Sequence, residues 1–419
     1  MHNKSMRSYF FFVVLVTGAG ISCWVNTPVP EGLAEPYKYR LLAAGSYLLG
    51  LQTSFLDVLW PDKGYDMIAT RYIMNIGHRE PPSIVPGSNF KARQTEFDGV
   101  TVRIYEPIRR TERLLPGFVF FHGGGYCLGN TKTYDGLTRQ FADELDAVVV
   151  SVEYRLCPEY PFPSQFEDTF KVTRWFISHA RDYGVDPTRI GIGGDSAGGH
   201  LAAVVTHHVH DDPSIPDPIV QLLVYPILQH VDLKTPSYQK YQHYFGNYGL
   251  FPIAKNARFQ SYVIFGKSDP TFERYYQENN HTSIDFKMNS KVWDNLNHSV
   301  IPESLRDATF YSGPDEKNHG DKDTWERIKK LITDPRVNPF TRGDFRGLPP
   351  TLIQTCGFDS LRDDGIFYWT ALKTAGVETK WINYESGVHG IFWLGGGMLE
   401  FDLGAKMRND AINFMKSYL

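Results

Sequence analysis

Cysteine is scarce in this chain of 419 residues, where it occurs only at positions 23, 127, 157 and 356, and no two of these form a C-x-x-C pair. Such usage excludes a disulfide-rich scaffold and argues against a zinc ribbon or a thioredoxin-like centre. Positive charge is not in excess either, since 43 lysines and arginines stand against 47 acidic residues. Without a basic surplus, the chain is not expected to bind nucleic acid.

Long apolar runs are also rare, and the clear example lies at the N-terminus. Residues 8–25 carry no charge and follow Lys4 and Arg7, which predicts a signal-anchor transmembrane helix, with a cleaved signal peptide as the alternative. The two basic residues predict that residues 1–7 stay cytosolic and that the remaining chain enters the secretory lumen. Asn280 and Asn297 each begin an N-x-S/T sequon, so both are candidate glycosylation sites there.

Apolar residues make up 42% of the chain, which is ample for a large core and excludes a disordered protein. From residue 96 to 419, apolar runs alternate with amphipathic ones, which predicts an α/β fold with a mostly parallel sheet and helices on both faces. The predicted strands are 102–105, 118–121, 147–152, 190–192, 220–225, 351–355 and 380–384. The predicted helices are 133–145, 165–183, 197–210, 364–375 and 404–419.

Two regions interrupt this alternation and are predicted to form a helical cap. Residues 31–95 look helical and loop-like, and residues 231–345 form a long insertion between two predicted strands. A structureless loop of that length is improbable, so the insertion should fold. Its many aromatics, from Tyr238 to Phe265, would pack the cap onto the body or line an apolar substrate pocket.

The strongest local motif is Gly194-Asp-Ser196-Ala-Gly198. It lies between a predicted strand and a predicted helix, which is the context that a G-x-S-x-G nucleophile requires. A sharp turn between small residues would present the Ser196 hydroxyl at a helix N-terminus, where developing negative charge is favoured. Ser196 is therefore the predicted nucleophile.

A glycine run, His122-Gly123-Gly124-Gly125, directly follows the predicted strand 118–121. Without side chains, the backbone N–H groups of this run can approach a substrate oxyanion. Together with the N–H of Ala197, they predict an oxyanion hole.

A serine nucleophile needs a general base that an acid holds in place. Asp359 follows the predicted strand 351–355 and is the preferred acid, because catalytic groups collect at the carboxyl ends of parallel strands. Asp363 is the competitor, although the first turn of a helix favours an acid by its dipole alone. His389 lies in a glycine-flanked loop after the last strand and is the predicted base. The histidines 207, 208 and 210 are interpreted as solvated surface residues.

Taken together, these motifs resemble the hormone-sensitive lipase family of α/β-hydrolases, and within it the membrane-anchored arylacetamide deacetylase-like proteins. The resemblance rests on His122-Gly-Gly-Gly125, Val152-Glu-Tyr-Arg-Leu-Cys-Pro-Glu159, Gly194-Asp-Ser-Ala-Gly-Gly199, Asp359-Ser-Leu-Arg-Asp-Asp-Gly365 and Val388-His-Gly390. It implies an α/β-hydrolase fold at 96–419, the triad Ser196–Asp359–His389, and a type II anchor in the endoplasmic reticulum membrane.

The resemblance further implies a disulfide between Cys127 and Cys356. Cys157 departs from the alanine that relatives usually carry, and it is interpreted as a small buried residue without a bonding partner. The cap matches no signature motif, so the resemblance leaves the substrate open.

The predicted activity is hydrolysis of lipophilic carboxylic esters or amides through an acyl-enzyme, without a metal or an organic cofactor. Two alternatives stay open: an acylglycerol lipase at the membrane surface, and a ligand-binding receptor on the same fold. The gibberellin receptors resemble this family but have lost the catalytic histidine, whereas His389 is present in this chain.

Overall fold

The computed structural model describes residues 27–60, 63–75, 80–109, 112–246, 248–314, 320–394 and 400–419, together with residues 18, 20, 22 and 25. The predicted cytosolic segment at 1–7 and most of the predicted anchor at 8–25 lie outside the described residues. Within the described part of the chain, none of the helices is both long and apolar enough to cross a bilayer.

A sheet of eight strands forms the centre of the molecule, in the order β1-β2-β4-β3-β5-β6-β7-β8. β1 pairs antiparallel with β2, β2 pairs antiparallel with β4, and all further pairs are parallel. The strands are β1 Phe90–Phe97, β2 Val100–Pro107, β3 Leu115–Phe121, β4 Val148–Val152, β5 Val185–Asp195, β6 Val220–Val224, β7 Thr351–Phe358 and β8 Thr379–Val388. The mostly parallel sheet agrees with the predicted fold class.

Every residue of β3, β4, β6 and β7 is buried. Continuous burial is expected when both faces of a parallel strand are covered, and it explains why these strands are apolar without alternation. β1 differs, since it lies at the edge and buries mainly Phe90, Ala92 and Phe97. Most of this strand lies in the segment 31–95 that was predicted to be helical and loop-like, so the predicted segment ends too late.

The described residues form thirteen α-helices. They are α1 Pro36–Leu59, α2 Tyr65–Asn75, α3 Asp135–Leu145, α4 Ser164–Ser178, α5 Ala197–His210, α6 Pro236–Phe245, α7 Ile253–Phe265, α8 Pro270–Gln277, α9 Ile284–Asn289, α10 Lys291–Asn295, α11 Lys322–Ile332, α12 Arg362–Thr374 and α13 Asp402–Met415. Helices α3, α4, α5, α12 and α13 pack against the sheet, and all five were predicted.

The cap combines α1 and α2 with α6 to α11, which occupy the insertion between β6 and β7. Partly buried polar contacts join its two parts, because Asp66 of α2 accepts hydrogen bonds from Arg258 and Tyr262 of α7. Aromatic packing adds to them, since the Tyr39 ring of α1 lies 5.4 Å from the Phe245 ring of α6. The two parts of the cap therefore pack against each other.

Candidate active site

Ser196 occupies the tight turn between β5 and α5, where its φ of 55° and ψ of −120° are unfavourable for a residue with a side chain. Two glycines make the turn possible. A Cβ on Gly194 would lie 2.3 Å from the Gly198 oxygen, and a Cβ on Gly198 would lie 2.0 Å from the Phe121 oxygen. The small residues of the motif thus let α5 start directly against the end of β3.

Hydrogen bonds connect the three residues that were predicted as a triad. The Ser196 Oγ lies 2.9 Å from the His389 Nε2, and the His389 Nδ1 lies 2.8 Å from the Asp359 Oδ2. The other carboxylate oxygen of Asp359 accepts the N–H of Leu361 at 2.9 Å. The aspartate is therefore fixed by its own turn, with one oxygen left to orient the imidazole.

Asp363, the competing acid, points away from the histidine. Its carboxylate pairs with Arg362 at 2.8 Å and accepts the Ser237 N–H of the cap at 2.7 Å. Both side chains of the ion pair are fully buried. Asp364 accepts the Gln229 side-chain amide, and burial raises the pKa of Asp364 well above its ordinary value. The local sequence does not indicate that Asp363 anchors the cap.

The glycine run curls beside Ser196, but its N–H groups are not equivalent. The Gly123 N–H donates to the Asp195 Oδ1 at 2.8 Å and lies 3.1 Å from the Tyr134 hydroxyl. By contrast, the N–H groups of Gly124, Gly125 and Ala197 meet no acceptor among the described residues. The structure thus departs from the prediction at Gly123, whose N–H holds the loop in place instead of facing the hole.

His122 also supports the loop. Its ring is fully buried, stacks on Tyr154 at 4.3 Å and donates from Nδ1 to the Gly123 oxygen at 2.8 Å. Burial lowers the pKa of His122, so the ring is neutral. The predicted role of His122 in the oxyanion hole is therefore reduced to fixing the backbone beside it.

Asp195 was not singled out from the sequence. Its carboxylate is buried, accepts the Gly123 N–H and is 3.1 Å from the Tyr134 hydroxyl and 3.3 Å from that of Tyr225. Burial raises the pKa of Asp195 to about 6. The residue directly before the serine thus ties the glycine loop to the nucleophile turn.

Cap aromatics close over the site. The Phe251 ring stacks on the His389 imidazole at 5.0 Å, and a Cβ on Gly125 would lie 2.4 Å from the Phe259 ring. Tyr126 and His200 help to line a small cavity of about 20 Å³, which is room for about one water molecule. The cap aromatics therefore cover both the predicted base and the glycine loop.

The predicted disulfide between Cys127 and Cys356 is not formed, because both residues are free and buried. Cys127 lies close to Cys157, and burial raises the pKa of the Cys127 thiol. The Cys157 thiol donates to the Tyr160 oxygen at 3.3 Å, and its backbone N–H donates to the Tyr126 oxygen at 2.9 Å. Cys356 packs instead against Gly387 of β8, where an added Cβ would lie 3.0 Å from its sulfur. The structure therefore does not show the predicted disulfide.

The histidines of α5 also differ from their prediction as surface residues. His207 is buried and hydrogen-bonded to the Tyr368 hydroxyl of α12 at 2.7 Å, and burial lowers its pKa well below the ordinary value. His210 lies nearer the surface, where it meets Asp217 at 3.1 Å. The prediction failed for His207 because α5 is covered on more than one side.

The two sequons lie in different surroundings. Asn297 is exposed at the start of a short 3₁₀ turn. Asn280 is partly buried, and its partners in the motif, His281 and Thr282, are fully buried. In the part of the chain that the structure describes, His, Cys, Asp and Glu side chains form no group of three that could hold a metal ion.

Known proteins resemble the chain over most of its length. An α/β-hydrolase fold family matches residues 118–285 and 319–393. Arylacetamide deacetylase of Bos taurus is 32% identical over 99% of this chain and 100% of the relative. Neutral cholesterol ester hydrolase 1 of Bos taurus is 34% identical over 94% and 96%.

Solved structures agree with this assignment. A Pyrobaculum calidifontis esterase is 25% identical with a TM-score of 0.55, covering 84% of this chain and 90% of that chain. With the serine turn, the glycine loop and the Asp359 motif in one site, these similarities place the protein in the hormone-sensitive lipase family of α/β-hydrolases, within its arylacetamide deacetylase-like group.

Proposed function

We propose that this carboxylic ester hydrolase cleaves lipophilic esters or amides at Ser196, through an acyl-enzyme and without a cofactor. The observation that carries the proposal is the hydrogen-bonded chain from the Ser196 Oγ through His389 to Asp359. Relatives named deacetylase and cholesterol ester hydrolase support this reaction class. Because His389 is seated between its two partners, we favour hydrolysis over a receptor that only binds its ligand.

In the acylation step, the His389 Nε2 takes the proton of Ser196 while the Oγ attacks the substrate carbonyl carbon. The carbonyl oxygen becomes an oxyanion, which the N–H groups of Gly124, Gly125 and Ala197 would stabilise. His389 then gives its proton to the leaving alcohol or amine as that bond breaks. Asp359 keeps the imidazole in the reactive tautomer and stabilises its cationic form.

In the deacylation step, His389 takes a proton from a water molecule, and the hydroxide attacks the acyl carbon. The second oxyanion collapses, the bond between Ser196 and the acyl group breaks, and the proton returns to the Oγ. The products are a carboxylic acid and a free enzyme, so the balance requires water alone as co-substrate.

The aromatic cap suits an apolar substrate. Phe251 lies over the catalytic imidazole and Phe259 over the glycine loop, so an entering acyl or alcohol group would contact rings on the cap side. Pockets of this kind gain affinity chiefly from burying apolar surface. We therefore infer a preference for lipophilic esters and amides, with acylglycerols as the alternative.

We also propose that residues 8–25 anchor the protein in the endoplasmic reticulum membrane, with residues 1–7 in the cytosol and the catalytic domain in the lumen. The charge-free segment behind Lys4 and Arg7 supports this arrangement. Of the two sequons, exposed Asn297 is the better candidate for glycosylation, and Asn280 with its buried neighbours is the weaker one.

A fluorophosphonate probe tests the nucleophile. It should label the wild-type chain and lose its target in Ser196→Ala, while the exposed serine variant Ser178→Ala serves as a matched control that labels normally. Competition by a panel of esters, amides and acylglycerols then ranks the substrates. Labelling that persists in folded Ser196→Ala would overturn the proposed mechanism.

A further inference from the structure

The exposed apolar side chains of the described residues concentrate on cap helices α1 and α2. Of the fifteen large apolar, tyrosine or tryptophan side chains exposed in the described part of the chain, nine lie between residues 37 and 74. Tyr37 is 77% exposed, Tyr72 is 71% exposed and Leu41 is 58% exposed. Single exposed apolar residues are common on soluble proteins, whereas a cluster of this size marks an interaction surface.

Helical spacing groups part of these residues on one side of each helix. At 100° per residue, Tyr37, Leu41 and Leu59 lie within about 40° of one another on α1. Tyr65 and Tyr72 are similarly within about 20° on α2. We name the α1–α2 face by its six members, Tyr37, Leu41, Leu59, Trp60, Tyr65 and Tyr72.

The two helices contribute to a continuous surface, because the Trp60 ring after α1 contacts the Tyr65 ring of α2 at 6.0 Å. The opposite side of α1 is buried against the protein through Tyr39 and Ala43. The face is therefore a fixed surface of the folded cap.

We propose that the α1–α2 face lies in the headgroup region of a lipid bilayer, so that the cap rests on the membrane. This inference rests on the proposed N-terminal anchor, which places a bilayer beside α1. A Cβ on Gly20 would lie 3.4 Å from the Leu48 Cδ1, and Leu48 is about 20° from Tyr37 around the α1 axis. The end of the anchor segment thus meets α1 on the side that carries the face.

The chemistry of the face fits a membrane interface. Tyrosine and tryptophan have an apolar ring with a polar tip, and both are enriched where hydrocarbon meets headgroups. Lys63 is exposed between the two helices and suits lipid phosphates. The acid of α2, Asp66, is turned inward to Arg258 and Tyr262, away from anionic headgroups.

This placement would let a substrate pass from the bilayer to the active site. The helices that carry the face also hold α7, whose Phe259 covers Gly125, and α7 follows Phe251, which covers His389. A substrate dissolved in the membrane would enter beneath the α1–α2 face and reach Ser196 without crossing bulk water. The surface thus selects substrates that partition into lipid.

Environment-sensitive labelling of the full chain tests the face directly. The label is attached at Tyr72→Cys, and at Ile284→Cys on α9 as a matched exposed control outside the face. The unsubstituted chain supplies the background signal of the native cysteines. In phosphatidylcholine vesicles, we expect a blue shift and quenching by brominated lipid at position 72, and neither at position 284.

Three results would overturn the inference. If the chain is recovered with the vesicles but the label at position 72 stays in water, the result supports the anchor and refutes membrane contact of the α1–α2 face. If the chain is not recovered with the vesicles, the proposed anchor is refuted, and with it the premise that a bilayer lies beside the α1–α2 face. If the label responds to protein concentration without lipid, a second copy of the chain covers the face instead.

Activity provides a second measurement. The paired variant Leu41→Glu with Tyr72→Glu should lose about tenfold or more in kcat/KM on a long-chain acylglycerol dissolved in vesicles, because two apolar side chains leave the interface. Hydrolysis of a water-soluble acetate ester should stay unchanged, which also shows that the variant folds. Ile284→Glu should change neither rate, and equal rates on the vesicle substrate for all three proteins would contradict the proposal.

Discussion

The same chemical change at two neighbouring carboxylates should give two different defects. Asp359→Asn preserves the size of the side chain but removes the oxygen that receives the His389 Nδ1 proton at 2.8 Å. The amide of the substituted side chain can then donate to the His389 Nδ1, which favours the tautomer with its proton on Nε2. In that tautomer Nε2 cannot accept the proton of Ser196. In serine protease triads, this exchange lowers kcat by about 10⁴-fold, or about 5.4 kcal/mol in barrier height. We expect a loss of this order here.

Asp363→Asn should act on stability instead. The Asp363 carboxylate and the Arg362 guanidinium form an ion pair with both side chains fully buried. Neutralising one partner leaves a buried cation without its counter-charge, which typically costs about 3–5 kcal/mol of unfolding free energy. Because Asp363 does not contact His389, kcat of the folded variant should stay near the wild-type value.

Two assays on the same preparations separate these effects. Urea unfolding gives the free energy of unfolding, and hydrolysis of a soluble chromogenic ester gives kcat, with each variant serving as the control for the other. The reasoning would be refuted if Asp359→Asn kept kcat within tenfold of the wild type. It would equally fail if fully folded Asp363→Asn proved the slower enzyme.

Three further predictions concern the loop, the cap and pH. Gly125 has a φ of 60°, and a Cβ there would clash with a cap ring. Gly125→Ala should therefore displace the N–H of this residue from the oxyanion and lower kcat on a soluble ester by about 10²–10³-fold. Gly136→Ala, with open space around its Cβ, is the matched control and should retain activity. Phe251→Ala removes the ring that stacks on His389. It should reduce kcat/KM on long apolar esters about tenfold, by the transfer energy of the lost ring, whereas kcat/KM on an acetate ester should change much less. An equal loss on both esters would argue against a substrate contact. Burial raises the pKa of Asp195 to about 6, above its unfolded value of about 4. Between these pH values the folded protein keeps a proton that the unfolded chain releases. The free energy of unfolding should therefore fall as pH rises through this window. Asp195→Asn should flatten that fall in urea titrations, and an unchanged slope would contradict the assignment.

The fold and the site were predictable to different depths. Strands buried on both faces leave a continuous apolar run, which is why β3, β4 and β7 could be placed from the sequence. β1 could not, because an edge strand needs few buried side chains and its sequence from Phe90 to Phe97 is mostly polar. Local composition carries little information when burial is confined to one face of a short strand.

Which residues meet at the proposed site was predictable where chain order and sequence motif coincide, as for Ser196 and His389, which lie within hydrogen-bond distance of each other. What each buried polar group contacts was not predictable, since that depends on elements distant in sequence. Asp363 looked like an ordinary helix-capping acid, and its cap partner lies 126 positions away. Likewise, nothing local indicates that the Gly123 N–H is taken up by Asp195, 72 positions along the chain.

The buried charges after Asp359 bear on how this enzyme could be re-engineered. Asp363 takes a hydrogen bond from Ser237, and Arg362 donates to the Leu305 oxygen, so both are completed by residues of the insertion. Excising the insertion to obtain a minimal hydrolase, or exchanging it for that of a relative, would expose or strand these groups three and four positions from the catalytic acid. The insertion is thus part of the packing that stabilises the start of α12, and new substrate preferences are better sought by changing single side chains such as Phe251.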